Sequence, residues 1–174
     1  MIILLKNIYI GVRTIKSMKE EKLFFRKAKL SDIKELSKLR RDSFGKIKSE
    51  KYRKDLVDLL KSLNTPLDIK KKIKEYDMFC LLEKKKIIGT VSINKSEIKG
   101  VFVKYNYARK GIGTKLMNFI EDYARKNKIK KVHLYSAEKA KGFYKKLGYK
   151  LIKKIEKPWQ GVKSINFLME KNLK

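Results

Sequence analysis

Between Glu97 and Tyr135 the chain runs through four pieces in an order that few folds accommodate. Glu97 to Val103 reads as a strand, and Lys104-Tyr105-Asn106-Tyr107-Ala108-Arg109-Lys110-Gly111-Ile112-Gly113-Thr114 follows as a loop. Ile112, Leu116, Phe119, Ile120 and Tyr123 then recur at helical spacing, and Lys131 to Tyr135 is a further strand. Strand, loop, helix and strand within about 30 residues is the size of a right-handed parallel crossover. This predicts an α/β sheet with at least two parallel strands and helices packed on it. Glycines at 111 and 113 let the backbone approach a ligand closely and leave N–H groups unpaired at a helix start, where the helix dipole favours negative charge. A pyrophosphate fits such a place; a tight turn into a helix, with no ligand, explains the same glycines. A dinucleotide fingerprint requires a third glycine where Leu116 stands, and a nucleotide P-loop requires lysine where Thr114 stands.

The flanking sequence extends the pattern. Leu23 to Ala28 is a short strand, and Ser31-Asp32 starts a helix carrying Ile33, Leu36 and Leu39 on one face. A second amphipathic stretch covers about 49 to 63, Asn64-Thr65-Pro66 breaks it, and a shorter helix runs to about Tyr76. Met78 to Glu83 and Ile87 to Ile93 form a hairpin with a solvated tip at Lys84-Lys85-Lys86. After Tyr135 comes Ser136-Ala137-Glu138-Lys139-Ala140-Lys141-Gly142-Phe143-Tyr144-Lys145-Lys146-Leu147-Gly148-Tyr149, a short helix with Ala140, Phe143, Tyr144 and Leu147 on one face and a glycine stop. The last strand is Val162 to Glu170, with Trp159 in the turn before it.

The hydrophobic strand ending in Val101-Phe102-Val103, the eight-residue step to Gly111, then Gly113, Ala140, Phe143-Tyr144 and Gly148-Tyr149 resemble, in order and register, the GNAT superfamily of acyl-CoA-dependent N-acetyltransferases. The resemblance covers about 23 to 170 and is most specific in 97 to 149. It implies a strongly twisted mixed sheet of six or seven strands with helices on both faces, whose two central parallel strands splay apart. It implies acetyl-CoA as acyl donor and a primary amine, on a protein or a small molecule, as acceptor. The diphosphate then lies on the backbone of Ala108, Arg109, Lys110, Gly111, Ile112, Gly113 and Thr114. The pantetheine arm runs along Val101, Phe102 and Val103; the strand bulges near Phe102 or Val103, where a backbone N–H faces the oxyanion, and Ala137, Ala140 and Phe143 flank the arm. Glu97 stands where many members carry the general base, and Tyr144 is the usual general acid; a surface glutamate and a core aromatic are the plainer readings of the two. Ala108 replaces the usual Arg or Gln, and Ala137 the frequent Asn, which removes one cofactor contact. Glu83 and Asp42 are further candidate bases, and Trp159 either lines the acceptor site or covers the core.

Composition sets the remaining bounds. A chain of 174 residues with 43% hydrophobic side chains supports one domain with a sizeable core, assigned here to 22–174 behind an N-terminal extension, 1–21, that reads equally as an extra packed element or as sequence upstream of an internal start at Met18. One cysteine and one histidine exclude a disulfide scaffold and a Cys/His zinc site, so no metal is expected. Cys80 reads as a core filler and His133 as a packed or edge residue; a lone thiol suits a reducing, cytoplasmic setting. No run is long enough to span a membrane. The net charge of +29 admits two readings, a compositional lysine bias or proximity to a polyanion such as RNA. Two rivals to catalysis follow, a basic nucleic-acid-binding protein on the same scaffold and a CoA-binding regulator without turnover; a monomer or a homodimer suits each.

Overall fold

A computed structural model describes residues 23–45 and 54–174. The extension at 1–21 and the first residues of the second predicted helix lie outside the described residues. Seven strands form one sheet in the order β1-β2-β3-β4-β5-β7-β6, with β1 at Phe24–Lys27, β2 at Asp77–Glu83, β3 at Lys86–Asn94, β4 at Glu97–Val103, β5 at Lys131–Ser136, β6 at Lys150–Trp159 and β7 at Val162–Asn172. Every neighbouring pair is antiparallel except β4 and β5.

Helices cover both faces, and β2 shows why. Its Met-Phe-Cys-Leu-Leu run is buried throughout, as expected of a strand packed on two sides. Phe79 and Leu81 join one core cluster; Met78, Cys80 and Leu82 join the other. The larger cluster lies under α4 (Ile112–Lys126), whose Ile112, Leu116, Met117, Ile120 and Ala124 are buried, and under α5 (Glu138–Lys146). The smaller lies under α1 (Ile33–Gly45) and α3 (Pro66–Glu75), where Leu36 and Ile69 are fully buried. Burying a leucine or isoleucine stabilises by about 1.5–3 kcal/mol. Between α1 and α3 lies α2 (Lys54–Ser62). Thr65 caps α3: its hydroxyl accepts from the Asp68 N–H at 3.3 Å, the Asp68 carboxylate receives the Thr65 N–H at 2.9 Å, and Pro66 takes the first helical position.

Three local expectations change. Asp32 does not cap α1 directly: it ends a 3-10 turn (Leu30–Asp32), and its carboxylate receives the Lys29 N–H at 2.7 Å and two Arg26 nitrogens at 2.6 and 2.9 Å. The hairpin tip has two residues, Lys84 and Lys85, because Lys86 already pairs with Glu83; both tip residues have positive φ, as the right-handed twist of a two-residue hairpin demands. Trp159 is the last residue of β6, paired with Val162, and the turn is Gln160-Gly161. The Trp159 side chain, and with it the expectation that it lines an acceptor site or covers the core, lies outside the described residues.

Candidate active site

The site begins where two strands part. β4 and β5 share a single register pair, Glu97 with His133, and the His133 N–H donates to the Ser96 carbonyl at 3.0 Å. Beyond that point β5 pairs only with β7, so the second half of β4 has no partner on this side. On the other side, β3 pairs Thr90 with Phe102 but Ser92 with Lys99, leaving Gly100 and Val101 opposite Val91 alone. This β-bulge sits one to two residues before the place expected from the resemblance. Gly100 has φ +59, and a Cβ there would lie 2.9 Å from Arg40 Nη2, so both backbone conformation and space call for glycine.

A cavity of about 900 Å³ opens at the splay. Glu97, Val101, Phe102, Ala137, Ala140 and Tyr144 line it, which brings six of the expected site residues to one cavity. Val103, Phe143 and the 108–114 loop are not part of that lining. The Phe143 ring packs instead against the start of α4: a Cβ at Gly113 would lie 3.2 Å from its Cζ. Gly113 therefore serves helix packing, which is one of the plain readings of a loop glycine. Ile112 buries its side chain in the core, leaving only its backbone to offer a ligand.

The loop itself has the geometry of an anion cradle. A 3-10 turn (Tyr105–Tyr107) leads to Arg109 at φ +63 and Gly111 at φ +75, and α4 closes its first backbone bond from the Lys115 N–H to the Gly111 carbonyl at 3.0 Å. The N–H groups of Ile112, Gly113 and Thr114 precede that bond and have no carbonyl within the helix. Nothing lies within 4 Å of the Cβ direction of Gly111, and Ala108, Arg109, Lys110 and Gly111 are exposed. The loop thus presents N–H donors and cations with no bulk in front of them, a donor set that fits a diphosphate.

Among the acids lining the cavity, Asp68 is committed to Thr65, whose hydrogen bonds hold its carboxyl below the usual range, and Glu138 pairs with Lys141 at 2.5 Å. Glu97 is half-buried and holds Lys99 at 2.9 Å. Burial pulls the Lys99 ammonium down, but the hydrogen bond and charge of Glu97 outweigh it and raise the pKa. The weaker candidates are elsewhere: Glu83 accepts from the Tyr107 hydroxyl, and Asp42 pairs with Lys38 at 3.1 Å on the surface. Tyr144 is surrounded by Phe143 and Tyr149, at ring-centroid distances of 5.0 and 5.9 Å, and burial pushes its phenol up to about 12. It therefore stays protonated across the physiological range. Cys80 is fully buried with its thiol pushed up to about 12 by burial, a packed and unreactive cysteine.

Residues that the sequence did not single out complete the wall, among them Arg40 from α1 and Lys72 and Tyr76 from the α3 region. Burial, then the charge of Arg40, bring the Lys72 ammonium down to about 8. Its Nζ donates to the Leu63 carbonyl at 2.5 Å and to Asn64 Oδ1 at 3.3 Å. Arg40 carried a readable signal, since it follows Ile33 and Leu36 at helical spacing on the apolar face.

Splayed parallel strands, a bulge beside them and a glycine loop at the next helix define the acyl-CoA-dependent acetyltransferase class. The family model for the acetyltransferase (GNAT) domain matches residues 48–171, and the chain belongs to that family, whose reaction class is N-acetyl transfer. It is similar to the probable N-acetyltransferase 14 of Xenopus tropicalis, 40% identical over 58 residues, 32% of this chain and 28% of that protein's length. In structure it resembles a GCN5-related N-acetyltransferase from Rhodopseudomonas palustris (TM-score 0.80, 16% identity, 86% of this chain and 95% of that one). It also resembles the PaiA N-acetyltransferase of Thermoplasma acidophilum, solved in complex with coenzyme A (TM-score 0.70, 19% identity, 87% and 99%). These likenesses support the mixed sheet expected from the sequence, at the upper end of the six or seven strands it implied.

Proposed function

We propose that this chain transfers the acetyl group of acetyl-CoA to a primary amine in the cleft between β4 and β5. The observation that carries this reading is the conjunction of the splay, with its bulge at Gly100 and Val101, and the α4 loop with its free N–H groups. In this reading residues 108–114 hold the diphosphate through backbone N–H groups, with Arg109 and Lys110 adding charge. The bulged strand at Val101, Phe102 and Val103 aligns the pantetheine arm and offers a main-chain N–H to the developing oxyanion. Ala137 and Ala140 line the slot with small side chains, and Phe143 holds α5 against the loop.

The acceptor amine arrives protonated, since a free alkylamine has a pKa near ~10.4. Glu97, directly or through water, takes one proton; the nitrogen then bonds to the acetyl carbon and the carbon–sulfur bond breaks. The Tyr144 O–H hydrogen-bonds the departing sulfur; of the two protons the nitrogen sheds, one passes through Glu97 to solvent and the other ends on the thiolate, so the products are amide and free thiol. A phenol near 12 is a weaker acid than a thiol, so Tyr144 acts chiefly as a hydrogen-bond donor to the developing thiolate. The net charge of +29 disfavours a free polyamine as acceptor and suits one that is anionic or held near a polyanion, and a buried lone cysteine is consistent with the cytoplasm.

The test is free-thiol release from acetyl-CoA across an amine panel, with acetyl-CoA binding followed by the rise in Tm. Tyr144→Phe is expected to lower kcat about 100-fold while the Tm rise is kept. Unchanged kcat removes Tyr144 from the mechanism. A Tm rise with no amine acetylated makes the protein a CoA-binding regulator. No Tm rise, together with RNA binding that falls steeply with salt, makes it a nucleic-acid-binding protein.

A further inference from the structure

Arg40 lies in the wall of this cavity, 3% exposed, and makes no ion pair among the described residues. Its Nε is buried without a hydrogen-bond partner. Its Nη2 reaches only the Met78 sulfur at 3.6 Å and the Ser92 hydroxyl at 3.5 Å, both at the far edge of a useful interaction. The guanidinium leans on the Phe102 ring, 5.1 Å from the centroid, and lies against the bulge, with three of its atoms 2.9 to 3.2 Å from the Cβ direction of Gly100. A buried charge without a counter-charge is strongly disfavoured, and proteins retain one where something else supplies the counter-charge.

The neighbouring charges do not supply it. Asp68 is committed to Thr65, Glu97 to Lys99, and Glu138 to Lys141. The charged group that does act on a neighbour from here is Arg40 itself, which repels the Lys72 ammonium across the same cavity. An anion seated beside Arg40 would satisfy the guanidinium fork and relieve that repulsion.

We propose that the acceptor amine carries an oxyanion, a carboxylate or a phosphate, and that Arg40 receives it. This rests on the acetyltransferase reading above and names the substrate class for the same cleft. Because the guanidinium lies against Gly100, next to the strand segment that aligns the thioester, the amine and its oxyanion are only a few bonds apart. That describes a small amino acid or aminoalkyl phosphate, and it excludes a long diamine or the end of a lysine side chain.

The experiment compares matched acceptors on the full chain: α- and β-amino acids, the corresponding carboxamides, short aminoalkyl phosphates and uncharged alkylamines, all followed by thiol release. A carboxylate or phosphate member is expected to exceed its uncharged counterpart in kcat/KM by at least about ten-fold, chiefly through KM. The relative rates of the carboxylates and the phosphates identify which oxyanion fits. In Arg40→Gln the ratio should collapse towards one, and Arg40→Lys should restore part of it; the Tm rise with acetyl-CoA reports that each variant is folded. Carboxamides or alkylamines used as well as the anionic members overturn the proposal and leave acetyl transfer standing. So does a preference that survives Arg40→Gln. Thiol release from none of the anionic members, while acetyl-CoA still raises Tm, also overturns it. Loss of the acetyl-CoA effect in the unaltered protein instead removes the reading on which it rests.

Discussion

Glu121 and Arg40 are buried to the same depth, 3% exposed each, and their surroundings are opposite. Glu121, on the inner face of α4, accepts from Lys171 Nζ at 2.6 Å and from the Tyr149 hydroxyl at 3.1 Å, with Arg125 at 3.7 Å. Two cations and a phenol answer one carboxylate, and the Tyr149 phenol is pushed far up by burial and then by that carboxylate. Arg40, on α1, has a methionine sulfur, a serine hydroxyl and an aromatic face. Burial brings its guanidinium from 12.5 down to about 10, which corresponds to roughly 3 kcal/mol against the charged form. The difference teaches where each charge acts. The Glu121 group joins α4 to the β6–β7 end of the sheet and belongs to folding; Arg40 is buried without a carboxylate among the described residues and faces a cavity, which is the signature of a binding group.

The comparison breaks first at Glu121. Glu121→Ala strands the partly buried Lys171 ammonium and the Tyr149 hydroxyl, while the exposed Arg125 keeps Asp122 at 2.6 Å, and it should cost about 3 kcal/mol in denaturant unfolding. Removing Lys171 as well should recover part of this, since the pair would then be absent together. If Glu121→Ala costs under about 0.5 kcal/mol, in the range of an ordinary surface change, the carboxylate does not hold these elements together.

Gly100→Ala has the next largest effect. An alanine at φ +59 costs about 1–2 kcal/mol, and the added methyl must also displace the Arg40 guanidinium. Measured by chemical unfolding in an Arg40→Ala background, the same substitution should cost only the backbone part. Identical costs in the two backgrounds would show that Arg40 does not press on the bulge.

The same two regions show what the amino-acid order reveals. The crossover from β4 through α4 to β5 was legible, since period-two and period-3.6 patterns with a glycine loop between them are local properties. So were the α5 motif and its face carrying Tyr144. The hairpin tip and the start of α1 differed by a residue or two because pairing and side-chain acceptors decided them: Lys86 pairs with Glu83, and Asp32 is drawn to Arg26. The cavity wall was less legible. Arg40 meets Gly100 only through the packing of α1 on β3 and β4, Lys72 and Tyr76 join the same cavity only through the packing of α3 on β2 and α1, and no spacing along the chain records either. Phe143 and Gly113 were assigned to the cofactor from their motif; the sequence did not show that the Phe143 ring packs on Gly113, a contact that leaves the Gly113 backbone N–H for a ligand.

The smallest expected effect is also the most discriminating. Arg40→Met keeps most of the length and apolar stem of the side chain while removing a charge that the fold leaves without a carboxylate. Roughly 3 kcal/mol of burial cost is thereby removed, but the stacking on Phe102 and the fit against Gly100 are partly lost. These terms oppose each other, so unfolding free energy should rise by about 1 kcal/mol or stay level, where the same loss of charge at Glu121 lowers it. Chemical denaturation of both variants in one buffer checks this, and the sign of the difference between them matters more than either value. A drop at Arg40→Met equal to that at Glu121→Ala would make the guanidinium a structural group. It would also remove the reason to expect an anion in the cavity, because the site would already be satisfied by the protein itself.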